Sequence, residues 1–255
     1  MKLLLVLAAV LSSSNVFASG GFSWMSGISH ALHLPEHVAT LILVSIVFLI
    51  VGLIYKVRTS NIEKNIIPDK GITFRNVYEY FGQFILNLGR STMGEKEGRE
   101  YFGFFMVYFL LIFMSNLIGL IPGFLPPTEN FNTGFGLGIL VFIYYNYHGI
   151  RVQGFKGHMK HLMGPILFMA PLIFVLEVIS HAMRPVTLGL RIRGNMMGDH
   201  TVLAIFSELV PYIVPIPFYV LGLFVCFMQA FVFTILSMIY LGMAVELHDH
   251  EDHAH

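Results

Sequence analysis

A long apolar stretch between Leu162 and Leu209 carries charged side chains where apolar ones are expected. Placing one such charge at the middle of a bilayer costs about 2.5–3.5 kcal/mol even on a lenient insertion scale. Charges in such places face a partner or a water-filled path, so these residues are the first candidates for chemistry. The stretch contains six of them: Glu177, Arg184, Arg191, Arg193, Asp199 and Glu208.

The spacing of polar residues in this stretch predicts one polar face on a helix. Measured around the helix axis from Arg191, the members fall between about −40° and about 80°. Arg193 and His200 fall on the opposite face. The prediction requires a helix that continues through Pro185. The members of this polar stripe are Glu177, His181, Arg184, Thr187, Arg191, Asn195 and Asp199.

Proton movement is the chemistry that the polar stripe favours. Carboxylates, imidazole, amides and water can pass protons along a chain, whereas arginine cannot, because its pKa is too high. An arginine within a relay therefore acts as a barrier, or pairs with a carboxylate from another chain. The alternative is ordinary hydrogen bonding between helices, with Arg184 reaching an interface and Arg193 and Asp199 flanking a re-entrant bend. Seven positions in register favour the ion pathway.

The composition indicates which solvent surrounds these charges. Of 255 residues, 56% are hydrophobic and 12% are charged, and fifteen basic residues balance fifteen acidic ones. That excludes a disordered chain and a nucleic-acid-binding protein, and the single Cys226 excludes a disulfide scaffold. The fold class that remains is an all-α polytopic membrane protein.

Apolar runs and basic loops predict about five crossings. Basic residues follow the first and third runs and are missing from loops Pro122–Thr133 and Pro211–Pro217. Because positive charge stays in the cytoplasm, the N-terminus is expected outside and the C-terminus inside. The fourth run would form about 70 Å of helix, so it must tilt, lie along the membrane or break. The runs are Thr40–Tyr55, Tyr101–Ile121, Gly134–Tyr147, Leu162–Leu209 and Phe218–Met243.

The remaining segments complete the domain organisation. Residues 1–18 resemble a cleaved secretory signal, with an uncleaved anchor as the alternative, and residues 19–39 would lie outside the cytoplasm. The pattern of Thr73–Leu88 predicts an amphipathic helix, either at the membrane surface or packed on the rest of the protein. Residues 40–246 form the membrane domain. Residues 247–255 form a histidine-rich cytoplasmic tail, for which a solvated tail is favoured over metal binding.

One motif in the charged stretch is highly specific. Residues Arg184–Met196 resemble the signature of subunit a of F-type ATP synthases, and the resemblance extends from about Val38 to Glu246. The other segments that resemble this family are Ser115–Gly123, the outer-loop residues Pro127, Thr128, Asn130 and Asn132, and Gln229–Phe233 with Tyr240-Leu241.

The resemblance implies the stator half of a rotary motor. Two offset half-channels would deliver and remove protons at a carboxylate on each subunit of a rotating c-ring. Arg191 would be the essential arginine, which attracts the deprotonated ring carboxylate and blocks direct leakage. Glu177 matches a position of the cytoplasmic half-channel, and Asn195, His200 and Gln229 match positions near the arginine and the outer half-channel. Asp199 is added from the polar stripe.

The resemblance also implies a subunit that is not an enzyme and holds no cofactor or metal. Its partners would be the c-ring, the subunit b stator, the rest of the ATP synthase and membrane lipid, without nucleic acid. The translocated ion would be a proton, with sodium as the alternative. The expected location is the bacterial inner membrane.

The chain departs from the family pattern at three positions. Arg193 stands where an apolar residue is usual, and its place on the far face favours a lipid- or partner-facing role. His200 stands where an acid is common, and Gly222 stands where some members carry a titratable residue. A neutral-range histidine can still relay protons.

Three other functions compete with this interpretation. A self-contained secondary transporter usually shows internal repeats, and the sequence has no convincing one. An intramembrane metal enzyme needs histidines on apposed spans, whereas most histidines here lie in the N-terminal segment, a loop or the tail. An assembly protein without transport would leave the polar stripe unexplained.

Overall fold

Every regular element in the described part of the chain is helical, which confirms the predicted fold class. The computed structural model describes residues 24–58, 73–121, 123–163, 170–209 and 215–245. The signal segment 1–18, the tail 247–255 and most of the loop Pro211–Pro217 lie outside these ranges. The helices are α1 (Ser26–Leu32), α2 (Glu36–Arg58), α3 (Phe74–Met93), α4 (Glu95–Glu100), α5 (Phe102–Leu117), α6 (Phe131–Met163), α7 (Ala170–Leu209) and α8 (Pro215–Val245).

Within the described ranges, four helices are long and apolar enough to cross a membrane. The four candidate membrane spans are Glu36–Val57, Phe102–Leu120, Ile173–Leu203 and Ile216–Val245. The third predicted run, Gly134–Tyr147, lies inside α6, whose helical geometry is interrupted at Gly154 (φ 71°, ψ 160°), and α6 is not among these four. The count of five crossings therefore stays a prediction.

Helix α7 positions most of the candidate site residues. It is one helix of 40 residues, about 60 Å long, and it continues through Pro185. Within the described range Ala170–Leu209, the fourth predicted run therefore has no break. Since the helix is continuous, the positions of the polar stripe share the predicted side of α7.

Helix α7 packs most extensively on α6, and the contact depends on small residues. A Cβ atom added to Gly138 would lie 2.7 Å from the carbonyl oxygen of Pro185. A Cβ atom added to Gly189 would lie 2.9 Å from the backbone nitrogen of Phe135. Only glycine lets the two backbones approach this closely, a common device between membrane helices. The packing holds the Pro185 and Gly189 side of α7 against α6 and leaves Arg191 and Asn195 of the polar stripe exposed on another side.

Replacing Gly138 with Ala is expected to destabilise this contact by about 1–3 kcal/mol, because the atom that the methyl group meets is backbone and cannot rotate away. Gly136→Ala is the matched control, since a Cβ atom there meets nothing within 4 Å. Thermal dissociation of the chain from the solubilised complex measures the difference. Equal midpoints for the two variants would show that the close contact carries no stability.

Helix α3 packs its apolar face against the bundle. Ile85 is fully buried, and the Phe84 ring lies 5.8 Å from the Phe231 ring of α8. Tyr80, on the other face, is exposed. The structure thus shows the packed helix that the sequence offered as one of two alternatives.

Candidate functional site

An open groove of about 560 Å³ runs between α7 and α8. Three members of the polar stripe lie in it, and the opposite wall from α8 is apolar except for one amide. The residues that line the groove are Arg191, Gly194, Asn195, Gly198, Asp199 and Val202 from α7, and Leu221, Val225, Met228, Gln229 and Val232 from α8.

Arg191 lies exposed on an apolar surface. It makes no hydrogen bond or ion pair with any other described residue. Its neighbours Leu190 and Met197 are exposed, and Cβ atoms added to Gly194 or Gly198 would meet nothing within 4 Å. A guanidinium in a membrane needs a partner, and this surface is open enough for a second molecule to bring one.

Asn195 and Gln229 join the two walls of the groove. The Asn195 Nδ2 atom donates a hydrogen bond to Gln229 Oε1. Gln229 is buried, and its Nε2 atom has no hydrogen-bond partner in the described part of the chain. A buried amide donor without a partner costs about 1–3 kcal/mol, so this amide is a place for ordered water beside the groove.

Asp199 occupies space that a glycine of α8 leaves open. A Cβ atom added to Gly222 would lie 2.8 Å from Asp199 Oδ2 and 2.7 Å from Leu120 Cδ2. Asp199 is about 12 Å along α7 from Arg191. The sequence singled out Asp199 and Gly222 separately, and the structure shows that they are in contact across the groove.

Glu177 lies outside the groove, about 21 Å along α7 from Arg191 in the opposite direction from Asp199. Its Oε1 atom is 3.2 Å from His181 Nδ1 and 3.7 Å from a terminal nitrogen of Arg184. The polar stripe therefore contains two groups of side chains. Glu177, His181 and Arg184 form one group outside the groove, and Asn195 and Asp199 form the other inside it. Arg191 lies between the two groups, at the edge of the groove.

Arg193 lies on a different side of α7, in a second pocket of about 390 Å³. That pocket also contains Glu36 and His37 of α2 and the loop residues Glu129 and Asn130. Arg193 therefore has polar neighbours in its own chain, and because it is also exposed, its predicted lipid- or partner-facing role stays a prediction. The side chains of His200 and Glu208 lie outside the described part of the structure.

A buried polar pair joins the end of α5 to the outer loop. Thr128 Oγ1 donates a hydrogen bond of 2.7 Å to Asn116 Oδ1, and Ser115 is buried beside them in sequence. In the described ranges, Ser115 Oγ and Asn116 Nδ2 have no hydrogen-bond partner. From sequence, these residues were assigned no role beyond the family resemblance. The feature of the sequence that could have indicated them is the pair of adjacent polar residues Ser115 and Asn116 at the end of an apolar run.

The fold and the groove together define a polytopic helical membrane protein with a charged site on its surface. Residues 38–242 match the protein family described as ATP synthase A chain. The chain belongs to this family, which confirms the resemblance carried by Arg184–Met196.

Several curated relatives share the same description, ATP synthase subunit a. The protein from Bdellovibrio bacteriovorus is 44% identical over 90% of this chain and 99% of its own length. The protein from Campylobacter jejuni is 46% identical over 67% of this chain and 76% of its own length. The protein from Aliarcobacter butzleri is 39% identical over 83% of this chain and 92% of its own length.

Proposed function

We propose that this chain is the proton-translocating stator subunit of a rotary F-type ATP synthase. The observation that supports this most strongly is Arg191, an exposed guanidinium on an apolar surface without an ion partner among the described residues. A carboxylate on a rotating ring is the partner that such a surface suits, because it can approach, pair and leave. The residue is not catalytic, and ATP chemistry belongs to other subunits.

The outer half-channel in this proposal ends at the groove. Asp199 is its titratable group there, and the Asn195 and Gln229 amides hold water next to it. A Cβ atom added to Gly222 would lie 2.7 Å from Leu120 Cδ2, so Leu120 connects this end of the half-channel to the segment that carries Asn116. His200 remains a proposed member from the family motif.

The cytoplasmic half-channel ends at Glu177. Glu177 and Asp199 are separated by about 33 Å of helix, too far for direct proton transfer. Arg191 lies between them and cannot relay protons. A proton must therefore leave one half-channel on the ring carboxylate and reach the other after rotation, which couples the proton gradient to ATP synthesis.

The proposal includes the remaining parts of the arrangement. The N-terminus lies outside and the C-terminus in the cytoplasm of a bacterial inner membrane, with residues 1–18 as a signal peptide, residues 40–246 as the membrane domain and residues 247–255 as the tail. The partners are the c-ring, the subunit b stator and lipid. The ion is a proton, with sodium as the alternative.

Crosslinking in the intact complex tests the ring-facing surface. Leu190 on α7 is 51% exposed and Leu49 on α2 is 63% exposed, so cysteines at these two positions are both accessible and lie on different helices. The native Cys226 is buried. A photoactivatable maleimide on Leu190→Cys is expected to attach to the ring subunit, identified by mass spectrometry, and Leu49→Cys is expected to miss it.

Attachment of both variants to the ring, or of neither in an intact complex, would contradict the proposed surface. Ion transport by the purified chain alone in liposomes would instead support the self-contained transporter.

A further inference from the structure

Three polar side chains on consecutive turns of α7 meet at one carboxylate oxygen. Glu177 Oε1 lies 3.2 Å from His181 Nδ1 and 3.7 Å from Arg184. The side chains are 37% exposed for Glu177, 14% for His181 and 12% for Arg184. The carboxylate therefore faces outward, and the two basic groups lie behind it.

Arg184 is held in place by rings from two other helices. Its guanidinium carbon lies 4.6 Å from the Tyr240 ring centroid of α8 and 5.8 Å from the Tyr145 ring centroid of α6. Cation–π attraction at these distances favours a fixed guanidinium. Arg184 is thus a permanent positive charge 3.7 Å from the Glu177 carboxylate.

The surroundings of His181 determine which ring nitrogen carries hydrogen. Nδ1 lies 3.2 Å from the Glu177 backbone oxygen and 3.2 Å from Glu177 Oε1. Both atoms accept hydrogen bonds when the carboxylate is ionised, so a hydrogen on Nδ1 can meet both of them, and the lone pair of the imidazole then lies on Nε2. The Tyr145 ring packs against the imidazole at 5.8 Å between centroids.

We propose that His181 is a proton relay for Glu177 and that Arg184 is a positioning residue for the same carboxylate. In the uptake direction, hydronium gives a proton to His181 Nε2 and becomes water, the Nδ1–H bond breaks, and that proton bonds to Glu177 Oε1. The neutral imidazole then carries its hydrogen on Nε2, and a flip of the ring presents that N–H to Glu177 after the carboxyl proton has passed on to the ring carboxylate. This inference depends on the proposed role of Glu177 in the cytoplasmic half-channel.

The other groups around the cluster do not titrate in the same pH range. In the described part of the chain, the titratable groups that face it are Tyr145 from α6 and Tyr240 from α8. Tyrosine hydroxyls stay neutral between about pH 6 and about pH 8. A difference between the wild-type complex and the His181→Gln complex in the pH dependence of the rate therefore reports on His181.

The test uses inverted membrane vesicles that contain the whole complex, because their cytoplasmic face meets the buffer. His181→Gln keeps a donor for Glu177 but cannot carry the extra proton. Its ATP-driven pumping is expected to fall about a hundredfold at pH 8, the lower end of a general acid–base contribution. The deficit should shrink as the pH falls, since hydronium then supplies Glu177 directly. Met183→Ala, an exposed neighbour on α7, is the control.

A second variant distinguishes a proton-relay role of His181 from a purely structural role of its side chain. His181→Ala is expected to regain pumping when imidazole is added, which a lost packing contact would not do. If His181→Gln follows the wild-type profile at every pH while Glu177→Gln is impaired, the relay is wrong and the half-channel stands. If Glu177→Gln and Arg191→Ala both pump normally, the proposed function itself fails.

Discussion

Replacing Arg191 with Ala is expected to abolish ATP-driven proton pumping in the assembled complex. Arg191 is exposed in the groove between α7 and α8, where the ring carboxylate would lose its counter-charge. Removing one member of an ion pair away from water costs about 3–5 kcal/mol. That cost corresponds to a rate loss of at least about a hundredfold. Proton uptake into inverted vesicles measures the loss, normalised to the amount of assembled complex.

The chain provides a matched control two residues further along. Arg193 has the same chemistry but lies in the second pocket with Glu36 and Glu129, away from the groove. Arg193→Ala is expected to keep most of the pumping activity. Normal pumping by Arg191→Ala would contradict the central assignment, and equal loss in both variants would indicate a general effect of removing an arginine from α7.

The elements that position the site could largely be predicted from sequence. Apolar runs and basic loops located the spanning helices, because a bilayer excludes charge along the whole length of a span. The family motif identified Arg191, which the structure places in the open groove. Hydropathy marks membrane depth rather than helix ends, so the predicted run Gly134–Tyr147 is shorter than the part of α6 that begins at Phe131 and reaches the interruption at Gly154.

Contacts between distant segments could not be predicted in the same way. The backbone of Pro185 on α7 lies close to Gly138 of another helix, and no local pattern encodes that contact. The hydrogen bond from Asn195 to Gln229 joins residues 34 positions apart. Helical periodicity places a side chain on a face, but only the packing of α7 on α8 determines what that face meets.

Replacing Asp199 with Asn is expected to slow pumping by about a hundredfold, the lower end of what a general acid or base contributes. The amide keeps the shape of the carboxylate but cannot exchange a proton at neutral pH. The groove should then keep its water and lose its titratable group. Thr201→Ala is the control, because that exposed hydroxyl bonds to the Met197 carbonyl oxygen at 2.7 Å within its own helix. A normal rate for Asp199→Asn would remove Asp199 from the outer half-channel.

The contact between Gly222 and Asp199 extends the same prediction to α8. A methyl group at Gly222 would meet Asp199 Oδ2 at 2.8 Å and Leu120 Cδ2 at 2.7 Å, and both atoms are ends of side chains that can rotate. The fold should therefore tolerate Gly222→Ala, whereas the Asp199 carboxylate must move. We expect normal assembly and a pumping rate reduced about tenfold by the misplaced carboxylate. Gly242→Ala, whose Cβ atom would lie at an ordinary 3.4 Å from Met93, should pump normally. A Gly222→Ala complex that assembles and pumps like the Gly242→Ala complex would show that the position of Asp199 does not limit proton transfer.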